Sequence, residues 1–378
     1  MRILALEAYY GGSHQQFLDH WRHRSRHDWC LLTLPAHQWK WRMRHSALTF
    51  SEQIRKRVQH GQQWDVLLTS DMTNLAELVG MTDAVVSQLP RVIYFHENQL
   101  TYPDRFKQER DFHFAFTNFL SALSADQVWF NSNFHRTSFL NALENLLRRM
   151  PDYQPHEQVS AIKKRSRIES PGLISPGKHR SQNGPLRILW NSRWEHDKNP
   201  EDFFAAVDNL LSNGIDVRLQ VLGQSYLQIP EIFDTARHHF QKQIDHWGYV
   251  PDRQAYFKIL CEADVVVSTA WHEFFGMAAV EAMMAGAYPL LPSRLAYPEL
   301  LSPLGERTND FLYDGTVNDL SRRLTRLAER KRAGSLWPRG EDEIQIAVQH
   351  FNADDRAKQC DHQLESLCES CSIKDRGS

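Results

Sequence analysis

The feature that most constrains this chain is a short apolar run that recurs, each time closing in a polar or glycine-containing turn and each time followed by a segment of helical character. In the first half the runs are RILALEAY (2–9), WDVLLTS (64–70), RVIYFHE (91–97) and QVWFNS (127–132). In the second they are LRILWNS (186–192), DVRLQVLG (216–223), DHWGYV (245–250), ADVVVSTA (263–270) and AYPLLPS (287–293). Such alternation is the pattern of a parallel α/β sheet, and here it runs twice. Between the two series lies KKRSRIESPGLISPGKHRSQNGP (163–185), whose Pro, Gly, Ser and charge content predicts an interdomain connection. The expectation is two Rossmann-like domains, 1–170 and 185–340, with parallel sheets facing a central cleft. Residues 341–378 are expected to form a helical tail returning to the N-terminal domain.

A chain of 378 residues is long enough for two such cores, and 42% hydrophobic with 24% charged residues is ordinary for a soluble globular protein. No stretch approaches about 20 uninterrupted apolar residues, and the opening run breaks at Gly11-Gly12 before it reaches the length of a leader's core. A cytoplasmic location, away from membranes, is expected. Cys30, Cys261, Cys360, Cys368 and Cys371 form no disulfide framework, and the C-x-x-C at Cys368 and Cys371 reads as thiols on a terminal helix rather than as a zinc site. The net charge of −2 hides an uneven distribution. HQWKWRMRH (37–45) interleaves Lys40, Arg42 and Arg44 with tryptophans and histidines, a mixture suited to single-stranded or loop RNA as well as to plain solvated surface.

Ligands of open α/β sheets sit beyond the carboxyl ends of the strands, so the residues that follow each run are the candidates for chemistry. After the first run come Gly11, Gly12 and His14. The two glycines would let a backbone approach a bound ligand, and His14 is a candidate acceptor contact. After the third come His96, Glu97 and Asn98, a polar cluster closing an apolar strand, with His96 the candidate for a catalytic or sugar-orienting part. In NSRWEHDKNP (191–200), Arg193 and Lys198 place two cations after a strand, fit to neutralise a leaving diphosphate. In WHEFFGMAAVEAMMAG (271–286), Glu273 and Glu281 stand eight residues apart across a turn into a helix. That helix, starting near Phe275 or Gly276, would offer free N–H groups to phosphates. No D-x-D pair is present to hold a diphosphate through a cation, so no metal is expected. No G-x-G-x-x-G follows the first run, which disfavours hydride chemistry.

The R-x4-K at Arg193 and Lys198, GYV at 248–250, the run 263–286 and the E-x7-E pair resemble the large retaining GT-B glycosyltransferase family, the fourth in the usual classification. More narrowly, LALEAYYGGSHQQF (4–17), YFHENQLTYP (94–103), FNSNFHR (130–136) and GAYPLLPSRLAYPELL (286–301) resemble the tRNA-queuosine alpha-mannosyltransferase group. The resemblance implies a GT-B fold, GDP-mannose as donor, no cofactor, and tRNA as partner, with the acceptor hydroxyl on the cyclopentenediol of queuosine in an aspartate tRNA. It also implies that Glu273 contacts the mannose, Glu281 the ribose, Phe275, Gly276 and Met277 the phosphates through their backbone, Arg193 and Lys198 the diphosphate, and His96 the sugar. Phe274-Phe275 stand where many relatives have Gly-Phe, and Thr269-Ala270 where Pro-Ser is usual, which bears on the sugar more than on the reaction. Another nucleotide sugar on a lipid or polysaccharide, or RNA binding without turnover, are the rival readings.

Overall fold

Strand β1 (Arg2–Tyr10) buries both of its faces, which is why it reads as an unbroken apolar run. Its side chains alternate: Leu4 and Leu6 enter one core layer, Ile3 and Ala5 the other. The computed structural model describes residues 1–102, 112–178, 183–225, 229–337, 340 and 342–376. They form two units, residues 1–172 with the chain from Ala353 onward, and Leu173–Asn352.

In the first unit β2 (Asp28–Pro35), β3 (Val66–Ser70), β4 (Arg91–Phe95), β5 (Gln127–Phe130) and β6 (Ser166–Ile168) complete a six-stranded sheet in the order β2-β1-β3-β4-β5-β6. Every pairing is parallel. One face is covered by the helix Trp39–Gln59, which turns Met43, Ala47, Phe50 and Ile54 inward at helical spacing. On the other face lie the helix Gly12–Arg22, through Phe17, Leu18 and Trp21, and the last helix, Ala353–Arg376, through Ala357, Cys360, Leu364 and Leu367. The indole N–H of Trp21 donates to Asp361 Oδ1 at 2.8 Å, tying the two helices together. Each large side chain so buried contributes about 1.5–3 kcal/mol.

The second unit repeats the plan with β7 (Leu186–Asn191), β8 (Val217–Leu222), β9 (Ile244–Gly248), β10 (Val265–Val267), β11 (Tyr288–Pro292) and β12 (Leu312–Tyr313), in the order β12-β11-β10-β7-β8-β9. Among the described residues, no helix is long and apolar enough to cross a membrane.

Both sheets have a point where the strand order reverses: between β1 and β3 in the first, and between β7 and β10 in the second. The loops leaving those strand pairs diverge to opposite faces and open a crevice, the usual ligand position of such sheets.

The segment 163–185 is not a free connection throughout. Its first residues end the helix His156–Arg165, and Ser166–Ile168 form β6 beside β5. The crossing falls at Gly172 and Leu173. Leu173 bridges to Asn352 and donates its N–H to Phe351 O at 2.8 Å. Residues 179–182 of that segment, and Pro103 of the YFHENQLTYP motif, lie outside the described residues.

Candidate active site

The β7–β10 crevice is built by two loops that hold each other. The loop after β7 carries Arg193, makes a 3-10 turn over His196–Lys198 and enters the helix Pro200–Ser212. The loop after β10 runs from Ser268 to Gly276 and enters the helix Met277–Met284. Thr269 Oγ1 donates to Lys198 O at 2.9 Å, Trp271 N–H to Asp197 O at 2.8 Å, and Lys198 Nζ to His272 O at 2.7 Å. Gly276 caps the helix at φ 93°, where a Cβ would be strained and would stand 3.1 Å from the Tyr297 ring.

This interlocking joins the predicted charges of the second unit. Lys198 Nζ lies 3.3 Å from Glu273 Oε2 and 3.3 Å from Asp197 Oδ2, with only 6% of its side chain exposed. Burial pushes the Glu273 carboxyl up, but Lys198, then His272 and Arg193, outweigh it and hold the group below the usual carboxylate range. Arg193 is the more open cation: 40% of its side chain is exposed, and it pairs with Glu195 at 3.3 Å. His272 is pulled down to about 4 by burial and by Lys198, so the ring is neutral near pH 7.

Glu281, fifth in its helix, is 3% exposed. Its Oε1 accepts from Arg253 Nη2 at 2.5 Å and its Oε2 from Tyr256 OH at 2.7 Å, while Tyr256 OH accepts from Asn191 Nδ2 at 2.8 Å. Arg253 and Tyr256 are functional neighbours that the sequence did not single out. Phe275 is 3% exposed and its ring packs on Phe351. Met277 opens the helix and packs partly into the core.

The β1–β3 crevice of the first unit holds a second cluster. Glu7, wholly buried on β1, places Oε2 3.3 Å from His14 Nδ1 and 3.8 Å from His96 Nε2. The two imidazoles stack, with centroids 3.9 Å apart and planes at 25°. Asp71, buried after β3, accepts the His96 N–H at 2.9 Å. His14 is raised to about 9: burial lowers it, but Glu7 above all, with Asp71 and Glu97, overcomes that. His96 is held well below its ordinary value by burial and by the charge on His14. Burial pushes the Asp71 carboxyl well up.

Gly11 and Gly12 open the helix that carries His14. Gly11 is required by packing, since a Cβ there would meet Ala36 Cβ at 2.5 Å, and Gly12 takes φ 54°. Glu97 accepts from Gln99 Nε2 at 3.2 Å. Asn98 differs from the expectation of a ligand contact. It is fully buried, and its Oδ1 accepts from the N–H groups of Leu100 and Thr101 at 3.0 and 2.9 Å, so the side chain builds the loop. Arg42 is also engaged within the protein, by Pro35 O at 3.1 Å and by His37 and His45. Arg44 lies over the Phe114 ring, while Trp41 is 64% exposed.

Among the described residues, Glu7, His14 and His96 are the group whose ligand atoms fall within 4.8 Å of one another. Imidazole lone pairs lie in the ring plane, and a bound ion sits about 2 Å from each nitrogen. Rings stacked nearly parallel cannot both aim at one ion without turning, so the cluster fits hydrogen-bonded chemistry better than a metal.

Residues 2–173 match the family model described as tRNA-queuosine alpha-mannosyltransferase N-terminal, and residues 174–334 match that of glycosyl transferases group 1. The tRNA-queuosine alpha-mannosyltransferase of Drosophila melanogaster is 35% identical over 317 residues, covering 79% of this chain and 81% of the relative. The chain belongs to the tRNA-queuosine alpha-mannosyltransferase family. Within that family its two models meet where the two units do. A GDP-mannose-dependent phosphatidylinositol dimannoside mannosyltransferase of Mycobacterium tuberculosis is 28% identical over 117 residues, 31% of this chain and 30% of that one. Among solved structures, HepE of Anabaena in complex with UDP superposes with a TM-score of 0.68 at 17% identity, over 97% of this chain and all of that one. Sucrose-phosphate synthase of Thermosynechococcus elongatus gives 0.70 at 15% identity, over 98% and 100%. The fold is GT-B, and the chain is a glycosyltransferase.

Proposed function

We propose that the protein transfers mannose from GDP-mannose, with retention of configuration, to the cyclopentenediol of queuosine in the anticodon loop of an aspartate tRNA. The observation that carries this reading is the joining of Lys198, Glu273 and Arg193 at the β7–β10 reversal, beside the amino end of the Met277–Met284 helix. A departing diphosphate needs positive charge already in place, and a helix amino end adds backbone donors without reorganisation. Lys198, buried and fixed by three partners, sets the field and holds Glu273 ionised to accept sugar hydroxyls. Arg193, the more exposed cation and paired with Glu195, closes on the phosphates. Glu281, braced by Arg253 and Tyr256, meets the ribose. The β-phosphate of the leaving group takes the acceptor's proton, and the two cations do the work that a metal does in D-x-D enzymes.

The names of the Drosophila and mycobacterial relatives support mannose and GDP. The exposed Trp41 and the adjacent cations support an RNA acceptor. The test is mass spectrometry of nucleosides from tRNA incubated with the protein and GDP-mannose, with UDP-glucose and chelator in parallel arms. A hexose on queuosine from GDP-mannose alone, undiminished by chelator, is the expected result. Salt-sensitive tRNA binding with no sugar transferred from either donor would favour an RNA-binding protein instead.

A further inference from the structure

The helix Val317–Arg332 turns Leu320, Leu324, Leu327 and Ala328 inward and carries Arg323, Arg326 and Arg330 along an adjoining face at helical spacing. Like charges at that spacing weaken a helix. The helix dipole accounts for Arg330 in the last turn, but not for Arg326 in the middle. With Arg307 and Asp310 of the 3-10 segment Ser302–Asp310, and Tyr288 and Leu290 of β11, these arginines line a cavity of about 260 Å³. Tyr288 opens β11 and Asp310 stands just before β12, so the cavity lies at the amino ends of the strands. The β7–β10 crevice lies past the carboxyl ends, about a strand's length away, roughly 15–20 Å. An anion held in the cavity is therefore not the donor's diphosphate.

The protein's own carboxylates answer only part of this charge. Arg307 donates through Nε to Asp310 Oδ2 at 3.1 Å and through Nη1 to Glu343, and Arg323 Nε donates to Asp319 Oδ2 at 3.1 Å. The ion pairs of the helix itself are those of Arg322 and Arg323 with Asp319 and of Lys331 with Asp264; among the described residues Arg326 and Arg330 have none. Arg326 is exposed. The Arg330 guanidinium lies 5.7 Å from the centre of the Tyr288 ring, and its Nη2 is buried with no hydrogen-bond partner among the described residues. A buried donor of that kind calls for an acceptor, and the planar fork of arginine matches phosphate oxygens. We infer that this cavity holds a phosphate of the tRNA backbone, so that the unit carrying the donor site also grips the acceptor RNA. This rests on the reading above that tRNA receives the sugar. The volume is below the roughly 300–1,000 Å³ usual for small-molecule clefts, which suits one phosphodiester better than a whole nucleotide. Arg322, exposed on the same helix, carries the positive strip beyond the cavity, as a chain of phosphates requires.

Arg326→Gln with Arg330→Gln removes both cations that lack a carboxylate and keeps most of each stem. The full-length protein and this variant are titrated with tRNA across about 50–300 mM salt, titrated with GDP, and melted. Support is tRNA binding weaker by roughly tenfold to a hundredfold at low salt, with the slope of log affinity against log salt shallower by about 1–2. The loss should be equal for tRNA with and without queuosine, because phosphate contacts carry no base information, and GDP affinity should not change. Equal tRNA affinity and slope in both proteins overturn the inference, as does a loss confined to queuosine-bearing tRNA. If the double variant melts early, Arg326→Glu, at an exposed position, must give the same salt signature. Inorganic phosphate and pyrophosphate form a second arm. Either one raising the melting temperature of the wild type but not of the variant, while both bind tRNA alike, assigns the cavity to a small anion and overturns the RNA occupant. Sugar transfer is scored separately. Wild-type protein that shows the salt signature but adds no sugar condemns the proposed reaction and leaves this contact standing, whereas transfer by the wild type with equal tRNA binding by the variant condemns the contact alone.

Discussion

Replacing Lys198 by Met keeps most of the aliphatic stem and removes the charge that joins the two loops of the second unit. Removing one partner of a buried ion pair costs about 3–5 kcal/mol, because the other charge is left buried without compensation. Here Glu273 keeps 26% and Asp197 13% of side-chain exposure, so water recovers part of that, and about 2–3 kcal/mol is the expected loss. At about 2–4 °C per kcal/mol for a unit of this size, the transition of Leu173–Asn352 should fall by roughly 5–10 °C. The pH dependence gives an independent signature. Glu273 in the wild type lies below its ordinary 4.5, so its contribution is present above that value and is lost as pH falls through the folded one. Without Lys198, burial gains the upper hand and the carboxyl moves up. The variant's deficit should therefore be largest near neutrality and narrow below about pH 4.5. Calorimetric scans from pH 4 to 8 measure it, and Glu273→Gln added to Lys198→Met should recover part of the loss. Transfer should drop on the order of a hundredfold to a thousandfold. A Lys198→Met protein that melts like the wild type at pH 7, or that transfers sugar at the normal rate, refutes the assignment.

Glu281→Gln removes the charge opposite Arg253 but leaves the Tyr256 bond, so GDP affinity by calorimetric titration should weaken about tenfold; an unchanged Kd would remove Glu281 from the ribose. His272 takes a proton near 6.5 when unfolded but near 4 when folded, so its unit should lose stability as pH falls from about 6.5 toward 4. His272→Asn should flatten that slope in urea titrations, and an equal slope in both proteins would contradict it. Trp41→Ala, at a position 64% exposed, should leave the melting temperature alone and weaken tRNA binding about 5- to 100-fold at fixed salt. Undiminished binding would place the RNA surface elsewhere.

The strands read most easily were those buried on both faces, such as Val66–Ser70 and Tyr288–Pro292, where nothing but packing selects the residues. The three that went unread have physical excuses. Asp28–Pro35 is a half-exposed edge strand, while Ser166–Ile168 and Leu312–Tyr313 are too short to show a period. At the site, Arg193, Lys198 and Glu273 were conspicuous as charge after an apolar run, and Glu281 by its spacing from Glu273. What they bind within the protein was not, since Lys198 meets Glu273 across 75 positions of sequence and Glu281 meets Arg253 across 28. Glu7 carried a signal that was available: an acid inside LALEAYY has no water to face. Asn98 misled because a polar residue after a strand serves a turn as readily as a ligand.

The last helix supplies core to the unit that the first residue begins. During synthesis the stretch from Leu173 to Asn352 emerges whole and can finish folding on its own contacts, whereas the sheet made earlier must wait, with Phe17 and Trp21 lacking part of their cover, until Leu364 and Leu367 leave the ribosome. Truncation before Leu364 therefore damages the sheet of residues 1–172 and spares the unit Leu173–Asn352.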